Sequence, residues 1–182
     1  MALASVEPPS ASVEQPFASV EPLPADGTEY DVVVSGAGPV GLLLGCFLKS
    51  QGVNVVLVDP HLTTGVGSKA ALTTPRSFEM MERIGVAAGL IGQGRTARAA
   101  RVGSAGVWIG QITGLTTESR FPPTTVGQNV VEAHLAARYA ALGGKLLRAA
   151  RVTGLDDHRL PQEYGVVVDV ERHVYVRPPA EV

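Results

Sequence analysis

Three glycines, Gly36, Gly38 and Gly41, follow a run of valines, Val32 to Val34, in the order G-x-G-x-x-G, and an acid, Asp59, stands 18 positions beyond the last of them. That combination suits the recognition of a dinucleotide. The first glycine permits a tight turn after a strand, the second lets a pyrophosphate approach bare backbone, and the third lets a following helix pack closely on the sheet. Pro39 and Val40 open that helix, where proline's missing N–H costs nothing. The free N–H groups of the first turn and the positive end of the helix dipole attract an anion without a basic side chain. Asp59 closes a second strand and can accept hydrogen bonds from a ribose diol, which favours a ribose carrying no phosphate. The cofactor-binding set read from the residues is therefore Gly36, Gly38, Pro39, Val40, Gly41 and Asp59.

Other residue types carry less. Lys69 and Arg76 flank the region that a pyrophosphate or ribityl chain would cross and either can pair with phosphate, although a solvated surface charge is the simpler account of a single cation. Arg95, Arg98 and Arg101 recur every three residues but lack interleaved aromatics, so they read as a solvated helix or loop rather than a nucleic-acid face. His61, His134, His158 and His173 are isolated from one another in the sequence and read as structural. Cys46, the only cysteine, lies in the first helix and reads as a small core residue, with no disulfide framework or metal cluster around it. No side chain stands out as an acid, base or nucleophile, so the catalytic residues are unassigned.

The elements that must position these groups follow from periodicity. The valine run at Val32 to Val34 reads as a strand buried on both faces. Gly52 ends the first helix and Val53 to Val58 make the second strand. After a polar loop, Pro75 to Ile84 reads as a helix with Thr74 as N-cap and Gly85 just past its end. Val107, Trp108 and Ile109 suggest a strand, and Pro122 and Pro123 a break. Gln128 to Leu142 reads as an amphipathic helix, with Asn129 and Glu132 spaced as a capping-box variant, Val131, Leu135, Tyr139 and Leu142 on one face, and Gly143 and Gly144 as its stop. Lys145 to Val152 is expected to form a third parallel strand, set beside the first by a right-handed crossover. The interval between Asp59 and Lys145 is far longer than one crossover helix needs, so something else is expected there. Gly165 to Val170 and His173 to Arg177 read as a β-hairpin around Glu171 and Arg172.

A chain of 182 residues with 45% hydrophobic and 18% charged residues can bury one ordinary globular core, so one domain plus a tail is expected. A formal net charge of −2 gives no reason to expect nucleic acid, and the longest apolar stretch, Pro39 to Leu48, is too short to cross a membrane. Residues 1–29 are set apart by a sevenfold-spaced repeat, Ala4-Ser5-Val6-Glu7, Ala11-Ser12-Val13-Glu14 and Ala18-Ser19-Val20-Glu21. Five prolines interrupt it, which excludes a coiled coil and favours a disordered leader. The leader carries glutamates without Lys or Arg and has no charged start or apolar centre, unlike targeting peptides, so the cytoplasm is the default expectation.

Three blocks together resemble a known family. VVVSGAGPVGLLLGCFL with Asp59, then GSKAALTTPRSFEMMERIGV, then VGQNVVEAHLAARYAALGGKLL followed by VTGL and GVVVDV resemble the first half of the FAD domain in class A flavoprotein monooxygenases, the para-hydroxybenzoate hydroxylase family of aromatic hydroxylases. The likeness runs from Tyr30 to about Val170. It implies an α/β, Rossmann-like FAD-binding βαβ fold with a parallel sheet and an additional β-hairpin. It also implies FAD as cofactor, NADH or NADPH as reductant, O2 as co-substrate and an aromatic or polyketide-like small molecule as substrate. Arg76 and Glu79 match the second block. Lys69 stands where an FAD-contacting Arg is usual, which keeps the charge but loses bidentate phosphate recognition. Gln128 matches a flavin-contacting glutamine, with Val131 in place of the usual leucine. The family's later D-G and G-D motifs do not occur, so residues 30–182 are expected to form a partial FAD-binding domain of a truncated monooxygenase; the alternative is a catalytically inactive nucleotide-binding fragment or a subunit completed by another chain or by a homo-oligomer. An NAD-binding Rossmann protein is the other reading; Asp59 suits it, while the long interval before Lys145 and the Gln128 helix argue against it.

Overall fold

A computed structural model describes residues 19–22, 29–63, 72–113, 119–156 and 167–174. In chain order these form β1 (Ser19–Pro22), β2 (Val32–Ser35), α1 (Pro39–Ser50), β3 (Val55–Val58), β4 (Leu72–Thr73), α2 (Pro75–Arg83), α3 (Ala87–Gln93), β5 (Arg95–Thr96), β6 (Ala99–Ser104), β7 (Val107–Thr113), β8 (Thr124–Thr125), α4 (Gln128–Ala141), β9 (Lys145–Leu147), β10 (Ala150–Asp156) and β11 (Val167–Val174).

The centre is a parallel sheet in the order β2-β3-β9, with Val32 to Ser35 in register with Val55 to Val58 and Val56 to Val58 with Lys145 to Leu147. The third strand thus lies beside the second and not beside the first, as the spacing alone had suggested. Each new strand adds next to the one laid down before it, and this makes β3 the central strand. All four residues of β3 are buried, whereas Val32 to Val34 are only partly buried in a strand with one paired neighbour. The helices α1 and α4 cover the sheet. Gly45 of α1 faces the Leu57 and Tyr139 side chains, where an added Cβ would sit 2.7 Å from Leu57. Tyr139 lies buried beneath, its hydroxyl donating to the Val55 carbonyl at 2.8 Å and lying 3.2 Å from that of Lys145. Burial pushes this phenol up to about 12, so it remains a donor that joins β3 to β9. Cys46 is fully buried in the same layer, its thiol pushed up to about 11 by burial against the opposing pull of Arg138, as suits a core residue.

The long interval before α4 holds two helices and two small sheets. The helix α2 begins as read from the sequence, the Thr74 hydroxyl accepting from the Ser77 N–H, and ends one residue earlier, with Ile84 as its C-cap and Gly85 at φ +79 just beyond. Phe78, Met81 and Ile84 point into the core with Leu90 of α3. The short strands β4, β8 and β5 form one sheet, and β6 and β7 form a hairpin joined by Ala105 and Gly106, both at positive φ as a tight two-residue turn demands. Arg95 and Arg101 therefore lie on strands, exposed, and not on a helix.

Other expectations change as well. The helix α4 starts from Gly127 without a side-chain cap; Glu132 accepts instead from the Gln128 amide at 2.7 Å, so Asn129 and Glu132 form no capping box. The segment Lys145 to Val152 is two strands, broken at Ala149, whose φ of +53 turns the chain out of the parallel sheet. The hairpin around Glu171 and Arg172 is absent, because β11 runs straight through both residues, pairing antiparallel with β10 on one side and with β1 on the other. The strand β1 comes from the segment read as a disordered leader, its four residues overlapping the last copy of the repeat.

Candidate cofactor site

At the carboxyl ends of the parallel strands the chain builds a compact acceptor site. Gly36 takes φ +105 and donates its N–H to the Val58 carbonyl at 2.7 Å, which ties the turn after β2 to the end of β3. Gly41 lies so close beneath this turn that an added Cβ would collide with the Gly36 carbonyl and approach Val34 to 3.4 Å. Gly38 is the opposite case. It is the N-cap of α1, the helix starts without a side-chain cap, and an added Cβ would meet nothing within 4 Å. Pro39 occupies the first helical position and Val40 is exposed beside it. One glycine thus serves the protein's own packing, and another leaves backbone open to a ligand.

Asp59, just past β3, is 6% exposed. Its Oδ2 accepts the Ala37 N–H at 2.7 Å, and its Oδ1 accepts the His61 N–H at 2.9 Å. The His61 ring places Nδ1 3.1 Å from the same Oδ1, and the Arg148 guanidinium comes to 3.5 Å. Burial opposes ionisation, but the N–H groups of Ala37 and His61, the His61 ring and Arg148 outweigh it and hold the carboxyl below the usual carboxylate range. The acid therefore remains an acceptor only. Arg148 reaches it because the chain kinks immediately after β9: Asp59 donates its N–H to Leu147, and the N–H groups of Ala149 and Ala150 donate to the carbonyls of His61 and Asp59.

Of the residues expected at a site, the structure joins the glycine turn to Asp59 through Ala37. Arg76 pairs with Glu79 within α2 at 2.9 Å, a hydrogen bond that holds the Glu79 carboxyl below its ordinary range. Gln128 pairs with the buried Glu132. Lys69 lies outside the described residues, as does His158. His134 bridges its own helix and α3, with Nδ1 3.0 Å from the Val130 carbonyl and Nε2 3.1 Å from Gln93, in keeping with a structural role. His61 and Arg148 were not singled out as site residues from the sequence. His61 lies only two positions beyond Asp59, a hint within reach, but the approach of Arg148 depends on a strand pairing and a kink that no local pattern announces.

The arrangement fits a dinucleotide: an uncapped helix start behind a glycine with free space above it, and a buried ionised acid joined to the same turn. Comparison with known proteins identifies the family. The FAD binding domain family matches residues 29–172. The chain belongs to that family. Among relatives of this FAD-binding domain, anhydrotetracycline monooxygenase of Streptomyces rimosus is 30% identical over 128 residues, which cover 70% of this chain and 25% of the relative. The rifampicin monooxygenase of Streptomyces venezuelae is 30% identical over 145 residues, 78% of this chain and 28% of its own. Among solved structures, OxyS anhydrotetracycline hydroxylase from Streptomyces rimosus superposes with a TM-score of 0.66 at 29% identity, over 81% of this chain and 30% of that one. The flavin-dependent monooxygenase PieE, solved with FAD and substrate, shares the fold with a TM-score of 0.64 at 19% identity. The FAD-binding domain spans about a quarter to a third of the length of these proteins. No helix among its described residues is long and apolar enough to cross a membrane.

Proposed function

We propose that this FAD-binding domain holds the ADP half of FAD for a monooxygenase that hydroxylates an aromatic, polyketide-like small molecule, with NADH or NADPH as reductant and O2 as oxidant. The observation that carries the reading is the joint between the glycine turn and the acid, Ala37 N–H to Asp59 Oδ2, beside an uncapped helix start. The backbone N–H groups of Gly38, Val40 and Gly41 would receive the pyrophosphate, with Pro39 setting the first helical turn, and Asp59 would accept from the adenosine ribose. Lys69, Arg76 and Gln128 are assigned to the cofactor by family likeness. Bound FAD would supply the redox and oxygen chemistry; the chain's own residues bind and orient it.

Relatives that act on anhydrotetracycline and rifampicin support the polyketide-like substrate class. Because this chain spans a fraction of their length, the substrate cavity is assigned to protein outside these 182 residues, in the same polypeptide or in a complementing one. The bare apolar hairpin β6–β7 favours such a partner surface: Val107, Trp108 and Ile109 are each more than 60% exposed.

The test is a calorimetric titration of the purified chain with FAD and, separately, with NAD. Saturable binding that prefers FAD is expected. Preference for NAD, or no saturable binding of either, would overturn the reading.

A further inference from the structure

His61 makes two contacts with one oxygen of Asp59, the acid assigned above to a cofactor ribose. A carboxylate oxygen offers two lone-pair positions. Among the described residues, Oδ2 takes one hydrogen bond, from the Ala37 N–H. On Oδ1, His61 fills both, one with its backbone N–H at 2.9 Å and one with its ring at 3.1 Å, with the Arg148 charge alongside at 3.5 Å. A ribose diol that sets one hydroxyl on each oxygen therefore finds Oδ2 ready and Oδ1 taken.

The backbone donor cannot leave, because His61 is held on its other side as well, its carbonyl accepting the Ala149 N–H at 3.3 Å. Arg148 is largely buried, at 21% exposure, and is anchored in the turn between β9 and β10. The ring of His61 is 76% exposed and is the one of these groups free to rotate into solvent. We propose that the His61 imidazole is a competing ligand for Asp59 that must swing away for a diol-bearing cofactor to dock, so that His61 tunes cofactor affinity from the protein side. Arg148 stays in place and keeps the acid ionised and aimed. The inference rests on the assignment of Asp59 to the cofactor ribose.

The experiment is FAD titration by calorimetry of the full chain and of His61→Ala, His61→Gln, Asp59→Asn and the double variant Asp59→Asn/His61→Ala. Removing the ring is expected to tighten FAD by about fivefold, the factor corresponding to one ordinary net hydrogen bond. His61→Gln keeps a side-chain donor within reach and is expected to bind as the unaltered chain does. In the Asp59→Asn background the gain from His61→Ala is expected to vanish, which a ring acting elsewhere would not produce. Unchanged or weaker binding by His61→Ala, or a gain that persists without the Asp59 carboxylate, would overturn the competition while leaving the cofactor site standing. Failure of the unaltered chain and of every variant to bind FAD would overturn the cofactor site and the inference together. His61 is exposed, so its replacement leaves the fold intact, which a thermal melt of each variant checks.

Discussion

Gly38 and Gly41 carry the same side chain for opposite reasons, and that difference can be measured. At Gly38 a methyl group has free space around it in the protein, so Gly38→Ala should cost the fold no more than the modest loss of a glycine N-cap, while occupying the approach proposed for a pyrophosphate. FAD affinity is expected to fall by about tenfold or more, about 1.4 kcal/mol, on calorimetric titration. At Gly41 the same methyl would run into the Gly36 carbonyl. Gly41→Ala is expected to destabilise the fold by about 1–3 kcal/mol in urea denaturation, because close-packed backbone cannot yield as a flexible side chain does. Equal loss of stability in both variants would show that Gly38 is also a packing residue. The third member of the site, Asp59, differs from both in being held by the protein already, its two oxygens engaged by Ala37 and His61 before any ligand arrives.

Among the elements, the break between β9 and β10 does the most to shape the site. Had Lys145 to Val152 continued as one strand, Arg148 would not turn towards Asp59, and the antiparallel pair β10–β11 would not leave the parallel sheet. The break centres on Ala149, a non-glycine residue at φ +53 and 6% exposed. Left-handed backbone costs an alanine about 1 kcal/mol relative to glycine, and burial of its methyl group returns about 0.8 kcal/mol. Ala149→Gly should therefore be nearly neutral in chemical denaturation. Ala149→Val should be destabilising by about 1–3 kcal/mol, since a β-branched residue is far less tolerant of positive φ. A neutral valine variant would mean that the turn is not left-handed in solution.

The molecule as a whole pairs a well-covered parallel sheet with a hairpin that nothing described covers. Successive residues of a strand face opposite sides, so the exposure of Val107, Trp108 and Ile109 in a row means that both faces of β7 meet solvent, with Ile112 and Val102 exposed as well. A lone two-stranded ribbon is marginal in water, and apolar patches of this kind mark contact surfaces. Trp108 is the single tryptophan of the chain. Its fluorescence is expected to be that of a solvent-exposed indole in dilute solution and to shift to shorter wavelength as concentration rises and the hairpins are covered. The double variant Val107→Thr/Ile109→Thr should suppress that shift and the accompanying light scattering. A blue-shifted emission that is independent of concentration would show that the hairpin folds back on the domain.

The strand-turn-helix-strand unit from Tyr30 to Asp59 was legible, apart from its second strand starting at Val55 and not at Val53, because its constraints are local. A turn that needs Gly36 and a close approach that needs Gly41 are each written into single positions, and Gly38 opens the helix with free space around it. The helix at Pro75, with its Thr74 cap and Gly85 stop, was legible for the same reason. What depends on residues far apart was not. The valine run of β2 and that of β3 look alike in composition, and only pairing on both sides makes β3 the central strand. Glu171 and Arg172 resemble a turn locally, yet cross-strand bonds to β10 and β1 hold them extended. Glu132 and Asn129 have the spacing of a cap, yet the chain enters α4 at Gly127 and leaves Glu132 buried against Gln128. The company that Asp59 keeps was hidden in the same way. His61 and Arg148 are 87 positions apart in the sequence. They meet on one carboxylate oxygen because β3 and β9 are neighbours and the chain turns at Ala149, a matter of long-range pairing that no window of residues contains.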